Sequence, residues 1–243
     1  MVTTPIPLPE ALAVTLPEIS KEEKRQRWFE LFLVLALSLG IVLLNSFYLL
    51  KNAPGVALKM SALRSLYGFT HEGLSLLLLA YVLSRRRLRL QDLGLRWSRR
   101  DVIPSIVVTV LGGLSYVAGA IFLQAVHYGL YGSISRGSNA RQFFSSPTIW
   151  ALPFVLLNPF FEELIVRAYV MTEIKALTGS TIAAIGSSVV LQASYHLYYG
   201  WMGALSVAFP FMVFAIYYSR SRQAVPIIMA HEVFDLYGIY RLM

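Results

Sequence analysis

Apolar residues fill most of this chain in long stretches, and lysine and arginine collect in the short segments between them. The stretch from Trp28 to Leu50 is long enough, at about 1.5 Å per helical residue, to cross a hydrocarbon core about 30 Å thick. Comparable stretches run at 62–83, 102–127, 148–177, 181–199, 201–218 and 224–240. The pattern predicts an all-α fold: a polytopic transmembrane helix bundle of about seven spans, built from seven or eight helices. Residues 1–27 precede the first stretch and contain Pro5, Pro7, Pro9 and Pro17 without a basic segment leading into an apolar one. They read as a flexible N-terminal tail, neither signal peptide nor helix. Residues 28–243 read as one membrane-embedded helical domain, because no polar block is long enough to fold alone.

Composition agrees. Of 243 residues, 56% are apolar and 14% charged, with mean hydropathy +0.60, against about 25% charged in ordinary soluble domains. There is no cysteine, which excludes disulfides, thiolate metal ligands and a cysteine nucleophile. The net charge of +8 is distributed as topology signals rather than as a nucleic-acid surface. With the N-terminus inside, fourteen cations fall on inner flanks: Lys21, Lys24, Arg25, Arg27, the arginines at 85, 86, 87, 89, 96, 99 and 100, Lys175, Arg220 and Arg222. Six fall on outer flanks, at Lys51, Lys59, Arg64, Arg136, Arg141 and Arg241. The excess predicts a cytoplasmic N-terminus, and the expected location is the cell inner (plasma) membrane.

An ionisable side chain within a span costs roughly 2.5–3.5 kcal/mol on insertion scales, so each is a functional candidate. Most lie in the last hundred residues: Glu162, Glu163 and Arg167 in the fourth stretch, His196 in the fifth, and His231, Glu232 and Asp235 in the seventh. Glu163 and Arg167 stand four apart and can pair across one helix face, whereas Glu162 points about 100° away. Glu162 is left free for the neighbouring helices and is the better catalytic candidate. His231 and Asp235 share a face in the same way and can bind a common ligand. Against this stands a structural ion network that only ties helices together.

Two chemistries suit one carboxylate and two histidines. Without a cofactor, Glu162 helped by His196 takes a proton from water while His231 and Asp235 steady the oxyanion. Alternatively, Glu162, His196 and His231 hold zinc with one open water position. Spacing leaves both open.

At these residues the chain resembles the CAAX protease and bacteriocin-processing family, which includes the type II CAAX prenyl endopeptidases. The family's Glu-Glu-x-x-x-Arg stands at Glu162-Glu163-Leu-Ile-Val-Arg167, and its His-x-x-x-Asn/Asp at His231-Glu-Val-Phe-Asp235. Its Phe-x-x-x-His is half kept, with His196 present and Gln192 in place of the phenylalanine. The likeness covers roughly residues 148–240, the expected catalytic core, together with Leu-Gly-Leu-Arg at 93–96. It implies an intramembrane glutamic-type endopeptidase acting on a membrane-associated or CAAX-like peptide or protein substrate, with the lipid bilayer as its other partner and no nucleic acid. Glu162 and His196 would activate water, His231 and Asp235 would form the oxyanion site, and Glu163 and Arg167 would support them. The competing classes are a non-catalytic scaffold or bacteriocin-immunity-type protein and a small transporter. A transporter should repeat its interrupted helices, and no second Glu-Glu-x-x-x-Arg occurs in the first half.

The remaining polar residues have plainer readings. His71 and Glu72 would form a relay or, as the plainer reading, face a water-filled crevice, and His127 would sit at the interface beside Tyr128 and Tyr131. Glu232 would meet another neighbour than His231 does. Gly112, Gly113 and Gly119 would let helices approach closely, and Tyr195, Tyr198 and Tyr199 would line a cavity or end a span. One tension follows from the spans. His231 lies about seven residues from its inner end but Glu162 and His196 about fifteen, a depth difference of roughly 12 Å. Kinks near Pro153, Pro159 or Pro226, or displaced boundaries, have to absorb it.

Overall fold

The computed structural model describes residues 20–52, 61–134 and 149–240. Among them there is no strand, and eight α-helices follow in order: α1 Lys21–Asn52, α2 Ala62–Arg85, α3 Val102–Tyr131, α4 Ala151–Glu162, α5 Val170–Thr178, α6 Thr181–Tyr195, α7 Gly200–Ser221 and α8 Val225–Tyr240. A π-helical stretch, Glu163–Tyr169, joins α4 to α5 in one continuous rod. Four segments of the described residues are long and apolar enough to cross a membrane: Lys21–Asn52, Ala62–Arg85, Arg99–Tyr131 and Leu197–Ser221. Their outer faces carry exposed Phe32, Leu44, Leu77, Ile103 and Ile121, the surface that a bilayer covers and water would not tolerate.

The rod 151–178 runs through the middle. Leu164, Ile165, Val166, Ala168 and Tyr169 of the π-helical stretch are almost completely buried, and so are its two charged residues, Glu163 and Arg167. Around it, α2 packs on α4, α6 on α5 and α7, and α3 on α7 and α8. Small residues permit the closest approaches. A methyl group at Gly68 would stand 2.6 Å from the Phe154 ring, and one at Gly119 would stand 2.3 Å from the Phe209 ring. Gly112 abuts Phe214 and Phe234, but Gly113, expected to serve the same purpose, faces open space.

The tail assignment needs correction at its C-terminal end. Residues 21–27 are helical and belong to α1, because Arg27 is drawn inward. Its Nε donates to Glu173 Oε2 at 2.8 Å, and Arg86 Nη1 donates to Glu173 Oε1 at 3.0 Å. Arg86 also lies 3.7 Å from Glu30, so one carboxylate on α5 clamps the ends of α1 and α2. The basic patches were read as topology signals alone, yet two of their arginines are structural. Residues 1–19 of the tail lie outside the described residues.

The depth tension is met by where α8 starts in space, since its start in sequence, Val225, lies within one residue of the expected 224. The α7–α8 turn stops short of the α5–α6 turn: Arg222 Nη2 donates to Thr172 Oγ1 at 2.7 Å, well before α5 ends at Thr178. The 3₁₀ turn Leu90–Leu93 fills the space beneath, with Tyr218 Oη donating to the Leu93 carbonyl at 3.1 Å and Ala224 N to the Gly94 carbonyl at 3.0 Å. Gly94 has φ +89°, and a methyl there would meet the Arg222 carbonyl at 2.1 Å, so only glycine serves. Helix α8 thus begins inside the bundle, and a few residues carry His231 to the level of Glu163.

Replacing Glu173 by leucine leaves Arg27 and Arg86 without their common partner. The expected loss is about 3–5 kcal/mol, as for breaking a buried pair from one side, and a lowered thermal midpoint in detergent checks it.

Candidate active site

Glu162 closes α4 and Glu163 opens the π-helical stretch. A π-turn widens the helix and often marks a functional site; here it seats two adjacent carboxyl groups on different partners. Glu163 Oε2 lies 3.3 Å from Arg167 Nε, both side chains without exposed surface, as the four-residue spacing predicts. Arg167 Nη1 also donates to Ser188 Oγ on α6 at 3.0 Å, and its guanidinium lies 4.6 Å from the centroid of the Phe211 ring. The other oxygen of Glu163 is 2.9 Å from His231 Nδ1.

Glu162 turns to other helices, as expected. Its Oε2 accepts from Tyr195 Oη at 2.7 Å and from Gln192 Nε2, and Asn158 Nδ2 donates to its Oε1 at 3.3 Å. His231 Nε2 lies 3.9 Å from Glu162 Oε2 and 3.7 Å from Asp235 Oδ1. Of this group Asp235 has the most exposed side chain, 29% against 8% for Glu162 and 5% for His231, and so borders the side from which a ligand can enter.

His196 ends α6 rather than sitting within it. Ser46 of α1 fixes that turn: its hydroxyl donates to the Tyr195 carbonyl at 2.9 Å and accepts from Tyr198 N at 2.9 Å. His196 Nδ1 lies 2.9 Å from the Gln192 carbonyl. A carbonyl can only accept, so Nδ1 carries the hydrogen and Nε2 is the free position in the neutral ring. The ring stacks on Tyr199, and Phe211 stands between the two histidines, 5.9 Å from His196 and 5.0 Å from His231.

The structure therefore brings Glu162, Glu163, Arg167, His231 and Asp235 into one cluster and sets His196 beside it, one residue from the Tyr195 that binds Glu162. Ser46, Asn158 and Ser188 were missed as contributors, and Tyr195 and Gln192 were singled out without their bonds to Glu162. Gln192 carried a signal, since a buried amide in an apolar helix must find a partner. Glu72 needs correction: it is buried, not lining a crevice, and its Oε1 accepts from Asn158 Nδ2 at 2.8 Å. Glu232 makes no hydrogen bond to the cluster among the described residues, and its Oε1 is buried without a partner. His127 bonds the Ser133 carbonyl at the end of α3, outside the site. Among the described residues, no three His, Asp or Glu side chains are grouped so as to hold a metal ion.

Residues 144–237 match the family model for type II CAAX prenyl endopeptidase Rce1-like proteins. The recognition made from the three motifs is borne out over this segment. No curated protein and no solved structure matches the chain. The Rce1-like family is a protease family, and its match together with the apolar helices identifies an integral membrane protein with support for peptidase activity.

Glu163→Gln removes the charge that compensates Arg167 and weakens the bond to His231. Its detergent melting curve should show a loss of about 3–5 kcal/mol.

Proposed function

We propose that this protein is an intramembrane endopeptidase that cleaves membrane-associated or CAAX-like substrates with water activated by Glu162 and His196. The observation that carries the reading is the buried Glu162 carboxyl group, oriented by Gln192 and Tyr195 and facing His231. A purely structural carboxylate would be expected beside a guanidinium such as that of Arg167, which pairs with Glu163 instead.

In this reading water binds between Glu162 and the free Nε2 of His196. Glu162 accepts a proton as the water oxygen attacks the scissile carbonyl, which becomes a tetrahedral oxyanion. To stabilise that charge, His231 must donate from Nε2. Its Nδ1 hydrogen is committed to Glu163, an ion partner of Arg167, so the ring serves in its doubly protonated form. Asp235, 3.7 Å from the same Nε2, orients it. Collapse of the intermediate breaks the C–N bond, and the proton held by Glu162 passes to the leaving amine. The excess of inner cations supports a cytoplasmic N-terminus and a site opening on that side.

The test compares purified wild type and Glu162→Gln in lipid nanodiscs against a library of membrane-anchored peptides, with and without a prenylated cysteine. Wild type should cleave, and Glu162→Gln should melt normally while losing about 10²–10⁴-fold in rate, the usual contribution of a general base. Full activity in the variant rejects Glu162 as the base, and activity lost to a chelator and restored by zinc replaces this mechanism with a metal-dependent one. For orientation, single cysteines placed at 84–100 in this cysteine-free chain should react with impermeant reagent only from the cytoplasmic side.

A further inference from the structure

Glu72 stands on α2, in the part of the chain that the family match does not cover. Both hydrogens of one amide connect it to the site: Asn158 Nδ2 donates to Glu72 Oε1 at 2.8 Å and to Glu162 Oε1 at 3.3 Å. Asn158 lies one turn before Glu162 on α4, and its side chain would be free to change rotamer without an anchor on another helix. Glu72 supplies that anchor. Its approach depends on Gly68, which lies against the Phe154 ring of α4.

The two oxygens of Glu162 are engaged unequally. Oε2 receives Gln192 and Tyr195 and faces His231, whereas the long bond from Asn158 is made to Oε1. Oε1 is therefore the oxygen with lone-pair capacity to spare for a water molecule. A contact needed only to pack α2 on α4 would not call for a carboxyl group at this depth, since a buried ionisable group is costly in a bilayer. Moreover, Glu72 Oε2 is buried with no hydrogen-bond partner, a further cost that packing does not explain.

We propose that Glu72 is a positioning residue: it holds the Asn158 amide, which aims Glu162 Oε1 at the attacking water. The proposal rests on the peptidase reading for its kinetic consequence, but the placement of Glu162 has a readout of its own. Apolar replacements suit a lipid-embedded bundle, so Glu72→Leu and Asn158→Leu should fold. Each should lower kcat about ten- to a hundredfold with KM unchanged, as misplacement of a reacting group does. The double variant should be no slower than either single one. Glu72→Gln keeps a side-chain oxygen that can accept from the Asn158 amide and should recover part of the rate.

Infrared spectroscopy follows Glu162 without turnover. The carboxyl band that disappears in Glu162→Gln should shift in both leucine variants and move back in Glu72→Gln. If wild type cleaves nothing but the band shifts in this way, the peptidase reading fails and the positioning role stands. If kcat and the band are unchanged in Glu72→Leu, or if only its melting temperature falls, the contact merely packs α2 on α4 and the proposal is overturned.

Discussion

A guanidinium group with no exposed surface in a lipid-embedded bundle dictates what must stand around it. Arg167 cannot lose its charge, and an uncompensated buried ion costs several kcal/mol. Glu163, Ser188 and the face of Phe211 answer that demand from the central rod, α6 and α7. Each of these then organises something further. Glu163 holds His231 on α8, and Phe211 spaces His231 from His196. The polar site is in this sense the solvation shell of one arginine, and Glu162 is the carboxyl group left over for chemistry.

Much of the fold was legible because a bilayer makes length and hydropathy informative. The first three apolar stretches and the rod 151–178 fall where the pattern put them, to within a few residues at most ends. The α1 start did not, because the charges of residues 21–27 look like a solvated flank until Glu173, far along the chain, is brought to Arg27. The start of α8 was read to within one residue, but its depth was hidden for a related reason. Nothing local in Gln223 to Val225 says that the 3₁₀ turn around Leu93 occupies the level below, so a depth counted from the nearest basic flank was too shallow for His231.

Within the site, spacing along a single helix was readable and contacts between helices were not. Glu163 with Arg167, and His231 with Asp235, follow from the four-residue repeat. Asn158 also stands four residues from Glu162 on α4, a spacing that was open to the same reading; Tyr195 and Gln192 reach Glu162 from α6 and Glu72 acts through Asn158 from α2, and no periodicity relates those positions to it. Gln192 shows the difference well. Its departure from the phenylalanine of the resembling family names no partner, whereas its amide is directed to Glu162 and only its backbone carbonyl serves the histidine.

The π-helical stretch also separates two jobs that share one rod. Upstream, Glu162 and Asn158 are phased to the site; downstream, Glu173 is phased to Arg27 and Arg86. Because a π-turn spreads its residues more widely than an α-turn, the stretch acts as a phase adjuster between them. Shortening 163–169 by one residue would turn the downstream half by about 100°. With Glu162 kept in register, Glu173 would swing away from its arginines, so length in this segment is constrained as tightly as the identity of any residue in it.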